Sequence, residues 1–283
     1  MLNKDLILVV DFGAQYSHLI ARRIRDQGVK SEIVSYNISI DNILNLNPKG
    51  IIFSGGPASI YSTNAPKPNP EILNLNIPIL GICYGLQFIV DQQGGKVVST
   101  KTREYGKSEL LLNNKSKLFS NVKNKSIIWM SHSDKIVKIN DSFEILSHTS
   151  NSPYAAIKIK NKNIFGVQFH PEVIHTKCGN QIFDNFVYKI CDCNSNWQMD
   201  DLIDEKINNI KKMVGSNQVL CAVSGGIDST TAAVLLNKAL GKNLYCVFVN
   251  HGLLREGESK RVVDLLKNKL KLNLTYVDAS KTF

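Results

Sequence analysis

The residues best suited to chemistry are a cysteine set between glycines, Gly81-Ile82-Cys83-Tyr84-Gly85, and a distant His170-Pro171-Glu172. A Gly-x-Cys-x-Gly run between an apolar strand and a helix has the form of a nucleophile elbow, a turn so tight that only glycines fit beside the nucleophile. At a helix N-terminus the Cys83 thiolate is favoured by the positive end of the dipole. A thiolate also needs a base and a group to orient it. His170 and Glu172, two residues apart in extended chain, point to one side and supply both. His170 would take the proton of Cys83 and hand it to a leaving amine, while Glu172 would fix the imidazole tautomer. Taken singly, Cys83 could be a packed core thiol and His170 a satisfied strand-end histidine; their combination points to covalent attack on an amide. The oxyanion so formed needs backbone donors, and the candidates are the N–H groups of Gly56, in Ser54-Gly55-Gly56-Pro57, and of Tyr84. The glycine pair alone reads better as an ordinary turn.

A second group of residues, Ser224-Gly225-Gly226-Ile227-Asp228-Ser229 followed by Thr230, comes after an apolar run and opens a helix. Its backbone N–H groups and the helix dipole converge on an anion, and phosphate is the natural guest. The lysine of a Walker A loop is absent, so the motif is not that of a γ-phosphate hydrolase.

Alternating strands and helices must position these residues. Leu6 to Val10 is a short apolar run followed by a helical pattern through Leu19, Ile20 and Ile24. Gly50 to Phe53 and Ile77 to Leu80 are further buried runs, each ending at a glycine turn, which predicts a largely parallel α/β sheet. From Lys96 to Phe169 the pattern changes to short alternating strands, such as Ser126 to Met130 and Ala155 to Ile159. Helices are predicted from about Cys178 to Ile190 and from Met199 to Met213. Beyond them come a strand over Gln218 to Val223, a turn over Ser224 to Ser229, a helix over Thr230 to Leu240 and a strand over Leu244 to Val249.

Composition narrows the classes. At 283 residues, 43% apolar and 20% charged, the chain is a folded protein with room for more than one domain. No run approaches the length of a membrane span and no signal peptide is recognisable, which makes the cytoplasm the expected compartment. The six cysteines, Cys83, Cys178, Cys191, Cys193, Cys221 and Cys246, have neither disulfide-framework nor paired metal-site spacing. The formal charge of +10 comes from scattered lysines without an arginine-rich run, so nucleic acid is not an expected partner, whereas anionic nucleotide substrates would suit it.

In this order and on these elements, DFGAQY, SGGP, GICYG and FHPE resemble the class I glutamine amidotransferases, over Leu6 to about Ile190. The resemblance implies a flavodoxin-like open sheet and a Cys83-His170-Glu172 triad that hydrolyses glutamine to glutamate and ammonia through a thioester. It also puts Gln87, in GICYGLQ, beside the substrate glutamine. The run Trp129 to Asp134 resembles the branch that feeds GMP formation, with Ser133 where a glycine is usual. SGGIDS resembles the pyrophosphate loop of the ATP-pyrophosphatase superfamily. That likeness implies ATP and Mg2+ as cofactors, Asp228 as a magnesium ligand, and Ser224, Gly225, Gly226, Ile227, Asp228, Ser229 and Thr230 around the ATP phosphates. Phe248 to Arg255 resembles a stretch of the same branch that typically carries aspartate after the strand, where this chain has Asn250.

Joined in one chain, the two resemblances imply amination of xanthosine monophosphate (XMP) to GMP, with ATP cleaved to AMP and pyrophosphate. Glutamine, ATP and XMP would be the substrates, with no nucleic acid or membrane partner, and the full-length protein would be a homodimer. The expected fold class is α/β: a flavodoxin-like open-sheet glutaminase domain over residues 1–191, a linker and connecting helix over 192–214, and a truncated Rossmann-like ATP-pyrophosphatase domain over 215–283. The second sheet would stop before closing, so the chain is expected to be a fragment. A tRNA-modifying ATP-pyrophosphatase is a rival reading that leaves the glutaminase block without a role. A non-catalytic relative is another, and it leaves unused a nucleophile and base that are both present.

Overall fold

A computed structural model describes residues 4–283, the side chains at 100–103 and 199 excepted. Its contacts divide the chain into two units, Met1–Gln198 and Met199–Phe283.

The first unit opens with β1 (Leu6–Asp11), α1 (Ser17–Asp26), β2 (Lys30–Ser35), α2 (Ile40–Leu46), β3 (Gly50–Phe53), β4 (Ile79–Ile82) and α3 (Tyr84–Gln92). It continues with β5 (Lys96–Leu112), β6 (Ser126–Lys138), β7 (Phe143–His148), β8 (Ala156–Ile159), β9 (Ile164–Val167) and α4 (Gly179–Asp184), the last prolonged as a π-helix over Asn185–Ile190. One nine-stranded sheet runs in the order β2-β1-β3-β4-β9-β8-β7-β5-β6. The β2 to β9 half is parallel and the remainder antiparallel.

The inner parallel strands β1, β3, β4 and β9 are almost wholly apolar because helices cover both faces, while the edge strand β2 is mixed. On β1, Ile7 and Val9 pack with Ile20 and Ile24 of α1 and with Ile182 and Phe183 of α4. Leu8 and Val10 face the other way, towards Ile43 of α2 and Phe88 of α3. The strand order reverses between β1 and β3, and open α/β sheets bind ligands outside the carboxyl ends of their strands at such a switch. Helix α2 escaped the sequence reading because it is only seven residues long with one buried position, Ile43. Its ends are locally encoded: the Ser39 side chain caps the first turn and Asn47 closes the last at φ 46°.

The strands expected to be short between Lys96 and Phe169 include a long ribbon, with β5 of 17 residues and β6 of 13. On β6 buried and less buried side chains alternate without a break, which marks a sheet covered on one face.

The second unit contains α5 (Met199–Val214), β10 (Val219–Ala222), α6 (Ile227–Leu240), β11 (Leu244–Asn250), α7 (Glu258–Val263) and β12 (Leu274–Asp278). Helix α5, which the sequence put in a connecting segment, packs on α6. The three strands are parallel in the order β10-β11-β12. Cys246 and Phe248 of β11 pack with Ala233 of α6 and Val262 of α7. Among the described residues no helix is long and apolar enough to cross a membrane.

Candidate active site

Strand β4 ends at Ile82 and α3 begins at Tyr84, so Cys83 alone reverses the chain, at φ 50° and ψ −102°. A non-glycine held at positive φ costs about 1–3 kcal/mol, and the surrounding packing must hold it there. The flanking glycines are steric necessities. A Cβ at Gly81 would lie 2.7 Å from the Gly85 carbonyl carbon, and one at Gly85 would lie 2.5 Å from Phe53 Cβ. Tyr84 is an anchor: its hydroxyl donates to Pro66 O at 2.8 Å, and burial, aided by Asp91, pushes the phenol up to about 12. Gly56 packs against it, since a Cβ there would sit 3.3 Å from Tyr84 Cγ and 3.0 Å from Phe12 O.

The chain leaving β9 carries His170 to the same point. A Cβ at Gly55 would lie 3.2 Å from His170 Cε1 and 3.9 Å from Cys83 Cβ, so both side chains flank this one residue. His170 Nδ1 is 2.7 Å from Glu172 Oε1, the pairing expected from sequence, although the chain turns at 171–172 and does not run extended. Burial pulls the imidazole pKa down, but the Glu172 carboxylate and the Cys83 sulfur raise it and prevail, holding His170 well above its ordinary value. Glu172 is fully buried, and its Oε2 has no hydrogen-bond partner among the described residues. The strand end is clamped from two sides: Thr176 Oγ1 donates to His170 O at 2.6 Å, and Arg23 Nε donates to Glu172 O at 3.1 Å. Neither clamp was legible in sequence, because each bonds a backbone carbonyl that imposes no motif.

These groups open on a cavity of about 360 Å3, the scale of one small-molecule site. The wall facing Cys83 comes from the middle of β6. Cys83 Sγ lies 3.8 Å from Ser131 O, and Asp134 O accepts from both Gln87 Nε2 at 3.1 Å and His132 Nδ1 at 3.0 Å. His132 Nε2 faces Glu104 Oε2 of β5 at 3.2 Å. Gln87 is thus joined to the β6 wall. Asp134 Oδ2 is buried without a partner among the described residues, an unused acceptor beside the cavity. Ser133 also lines the cavity. The arrangement can move a proton from a thiol to an imidazole and receive a small polar amide between them.

In the second unit, helix α6 starts at Ile227, not Thr230. Gly226 is extended at φ −73° and ψ 165°, and Thr230 N donates to Gly226 O at 3.0 Å, which draws Asp228, Ser229 and Thr230 into the first turn. The loop is internally bonded. Ser224 Oγ and Ser229 Oγ are 3.1 Å apart, Ser224 N donates to Ser229 Oγ at 3.2 Å, and Gly226 N donates to Ser224 Oγ at 3.3 Å. Gly225 adopts φ +81° with no room for a side chain, since a Cβ would meet Val262 Cγ2 at 2.6 Å. Asp228 is exposed on the helix start. Asn250 accepts from Gly252 N at 3.0 Å and donates to Asp278 Oδ1 at 3.4 Å. Hydrogen bonds from Ser280 hold the Asp278 carboxyl below the usual range.

An elbow cysteine and a histidine–carboxylate pair thus meet at a cavity on the carboxyl edge of a parallel sheet. The family model for class-I glutamine amidotransferases matches residues 8–190, and the chain belongs to that family. A model for the PP-loop domain matches residues 199–280.

Among curated relatives, a GMP synthase [glutamine-hydrolyzing] of Caldicellulosiruptor saccharolyticus is 48% identical over 279 residues, which are 99% of this chain and 55% of the relative. One from Aquifex aeolicus is 50% identical over 277 residues, 98% of this chain and 54% of the relative. The chain therefore spans about half the length of the curated relatives it matches. A solved structure from Thermoplasma acidophilum, described as that of a GMP synthase subunit, is 31% identical with a TM-score of 0.58 and covers 67% of this chain and 94% of that one.

Proposed function

We propose that the chain hydrolyses glutamine to glutamate and ammonia through a thioester on Cys83. The supporting observation is the convergence of Cys83 and His170 on Gly55, with Glu172 bonded behind the imidazole. His170 takes the thiol proton as sulfur attacks the amide carbon, and returns it to the departing nitrogen as ammonia leaves. Water then attacks the thioester, His170 again taking the proton, and releases glutamate. The N–H groups of Gly56 and Tyr84 receive the oxyanion in both steps. Asp134 Oδ2, buried and unpartnered, takes the substrate ammonium, and Gln87 holds the wall that carries it.

The wider reading is that this chain supplies ammonia for ATP-dependent amination of XMP to GMP within a longer protein, giving AMP and pyrophosphate. It is supported by the PP-loop match and by the printed names of the relatives. The phosphates of ATP would lie on the N–H groups of residues 224–230, with the Ser224, Ser229 and Thr230 hydroxyls beside them. The loop offers a single carboxylate, Asp228, and no cluster of three metal-ligating side chains occurs among the described residues. That donor set fits a magnesium ion that arrives with a triphosphate. Asn250 retains the acceptor role of an aspartate towards Gly252 N.

The test is a Cys83→Ala variant of the longer protein, which should lose glutamine-dependent GMP formation and keep formation from supplied ammonium. Glutamate release by the Cys83→Ala chain at the wild-type rate would overturn the reading.

A further inference from the structure

Gln168 also reaches the sulfur. Residues 168, 170 and 172 follow β9 through a bend and a turn, and all three side chains end in the same buried region. Gln168 is 1% exposed and its backbone N donates to Ala155 O at 2.8 Å. Its side-chain Nε2 lies 3.7 Å from Cys83 Sγ. A buried amide must spend its donors on something, and this one points at a sulfur that also meets Ser131 O, which can only accept, and the His170 imidazole. An N–H aimed at sulfur stabilises the thiolate more than the thiol, because a charged acceptor roughly doubles the strength of the bond.

We propose that Gln168 is a catalytic residue of this site: its amide N–H donates to the Cys83 thiolate and helps make the nucleophile. The proposal rests on the thiol chemistry proposed above. It divides the labour among alternate residues of one strand end, with Gln168 holding the charge, His170 carrying the proton and Glu172 orienting the imidazole. The other titratable groups around the cavity are His132 and Asp134 on β6, Glu104 and Tyr105 on β5 and Tyr16 before α1. None of them is altered by changing Gln168.

Alkylation of Cys83 by iodoacetamide, read by peptide mass across a pH series, tests this in the whole chain. Gln168→Met keeps the volume and removes the donor. Its alkylation rate should fall about tenfold at about pH 6 and converge with wild type in alkali, where every thiol is ionised. Gln168→Glu, nearly isosteric, should fall further once its carboxylate is charged, and this second variant decides the matter if Gln168→Met does not fold. Superposable profiles for wild type and either folded variant would overturn the proposal, as would a loss that is uniform across pH. Glutamine turnover by the wild type is measured alongside. A wild type that releases no glutamate sinks the glutaminase reading, while the alkylation profiles still decide Gln168.

Discussion

The chain contains two glycine turns that each follow a parallel strand and open a helix, yet they differ in construction. At Cys83 the turn is buried and strained at positive φ, with Cys83, His170 and Glu172 at 5%, 6% and 0% exposure. At Ser224 to Ser229 the turn is open, its serines bond mainly to the loop itself, and Asp228 projects into solvent. Covalent chemistry requires the reacting groups to be preorganised and kept from water. Anion binding needs only backbone donors and space.

The sheets differ in the same sense. In the first, the inner parallel strands are covered on both faces and read as nearly continuous apolar runs. In the second unit Leu220, Tyr245 and Val249 are exposed opposite a packed face of Cys246 and Phe248.

The contrast breaks most sharply at His170. His170→Asn should lower glutamate release by about 10^3- to 10^4-fold while leaving nucleotide affinity at the loop unchanged, measured by turnover and by titration with magnesium ATP. A parallel loss of both would mean that the two sites are not separable.

Glu172→Gln keeps the shape and removes the charge behind the imidazole, and turnover should fall by about 10^2-fold. Its stability signature has a definite sign. His170 is held above its ordinary value of 6.5 in the folded chain, so the pair stabilises fully below that pH and its contribution is lost as pH rises through the raised folded value. The stability gap between wild type and Glu172→Gln in urea unfolding should therefore be widest near about pH 6 and narrow in alkali.

Gly85→Ala forces a Cβ to within 2.5 Å of Phe53 Cβ, in a core with no slack. A loss of about 2 kcal/mol in the first unit, with reduced turnover, is expected from overpacking. The smallest effect belongs to the open site. Asn250→Asp would set a second carboxylate where the amide now lies 3.4 Å from Asp278 Oδ1, and the melting temperature should fall slightly and recover with added salt.

The meeting of Cys83, His170 and Glu172 was legible in sequence because an elbow dictates residue types, with glycines where no Cβ fits, and because a histidine and a carboxylate stand two apart after a strand. The inner parallel strands β1, β3 and β4 were legible as apolar runs. What escaped depends on contacts distant in the chain or on backbone atoms. Thr176 and Arg23 act through carbonyls, and Gln168 becomes significant only when β9 lies beside β4. Asp134 matters because one of its oxygens is left without a partner, which no spacing encodes. The start of α6 was misplaced because an extended Gly226 lets the helix begin within the loop motif. Helix α7 and strand β12 carry too little apolar periodicity to stand out, and β12 is half-buried or exposed at every position.

The most direct test is to mix the chain with glutamine, quench in acid during turnover and map the peptides by mass. A glutamyl thioester, the mass of glutamine less ammonia, is expected on the peptide bearing Cys83 and should disappear in Cys83→Ala. Glutamate released while that peptide stays unmodified, or an adduct confined to another cysteine, would contradict it.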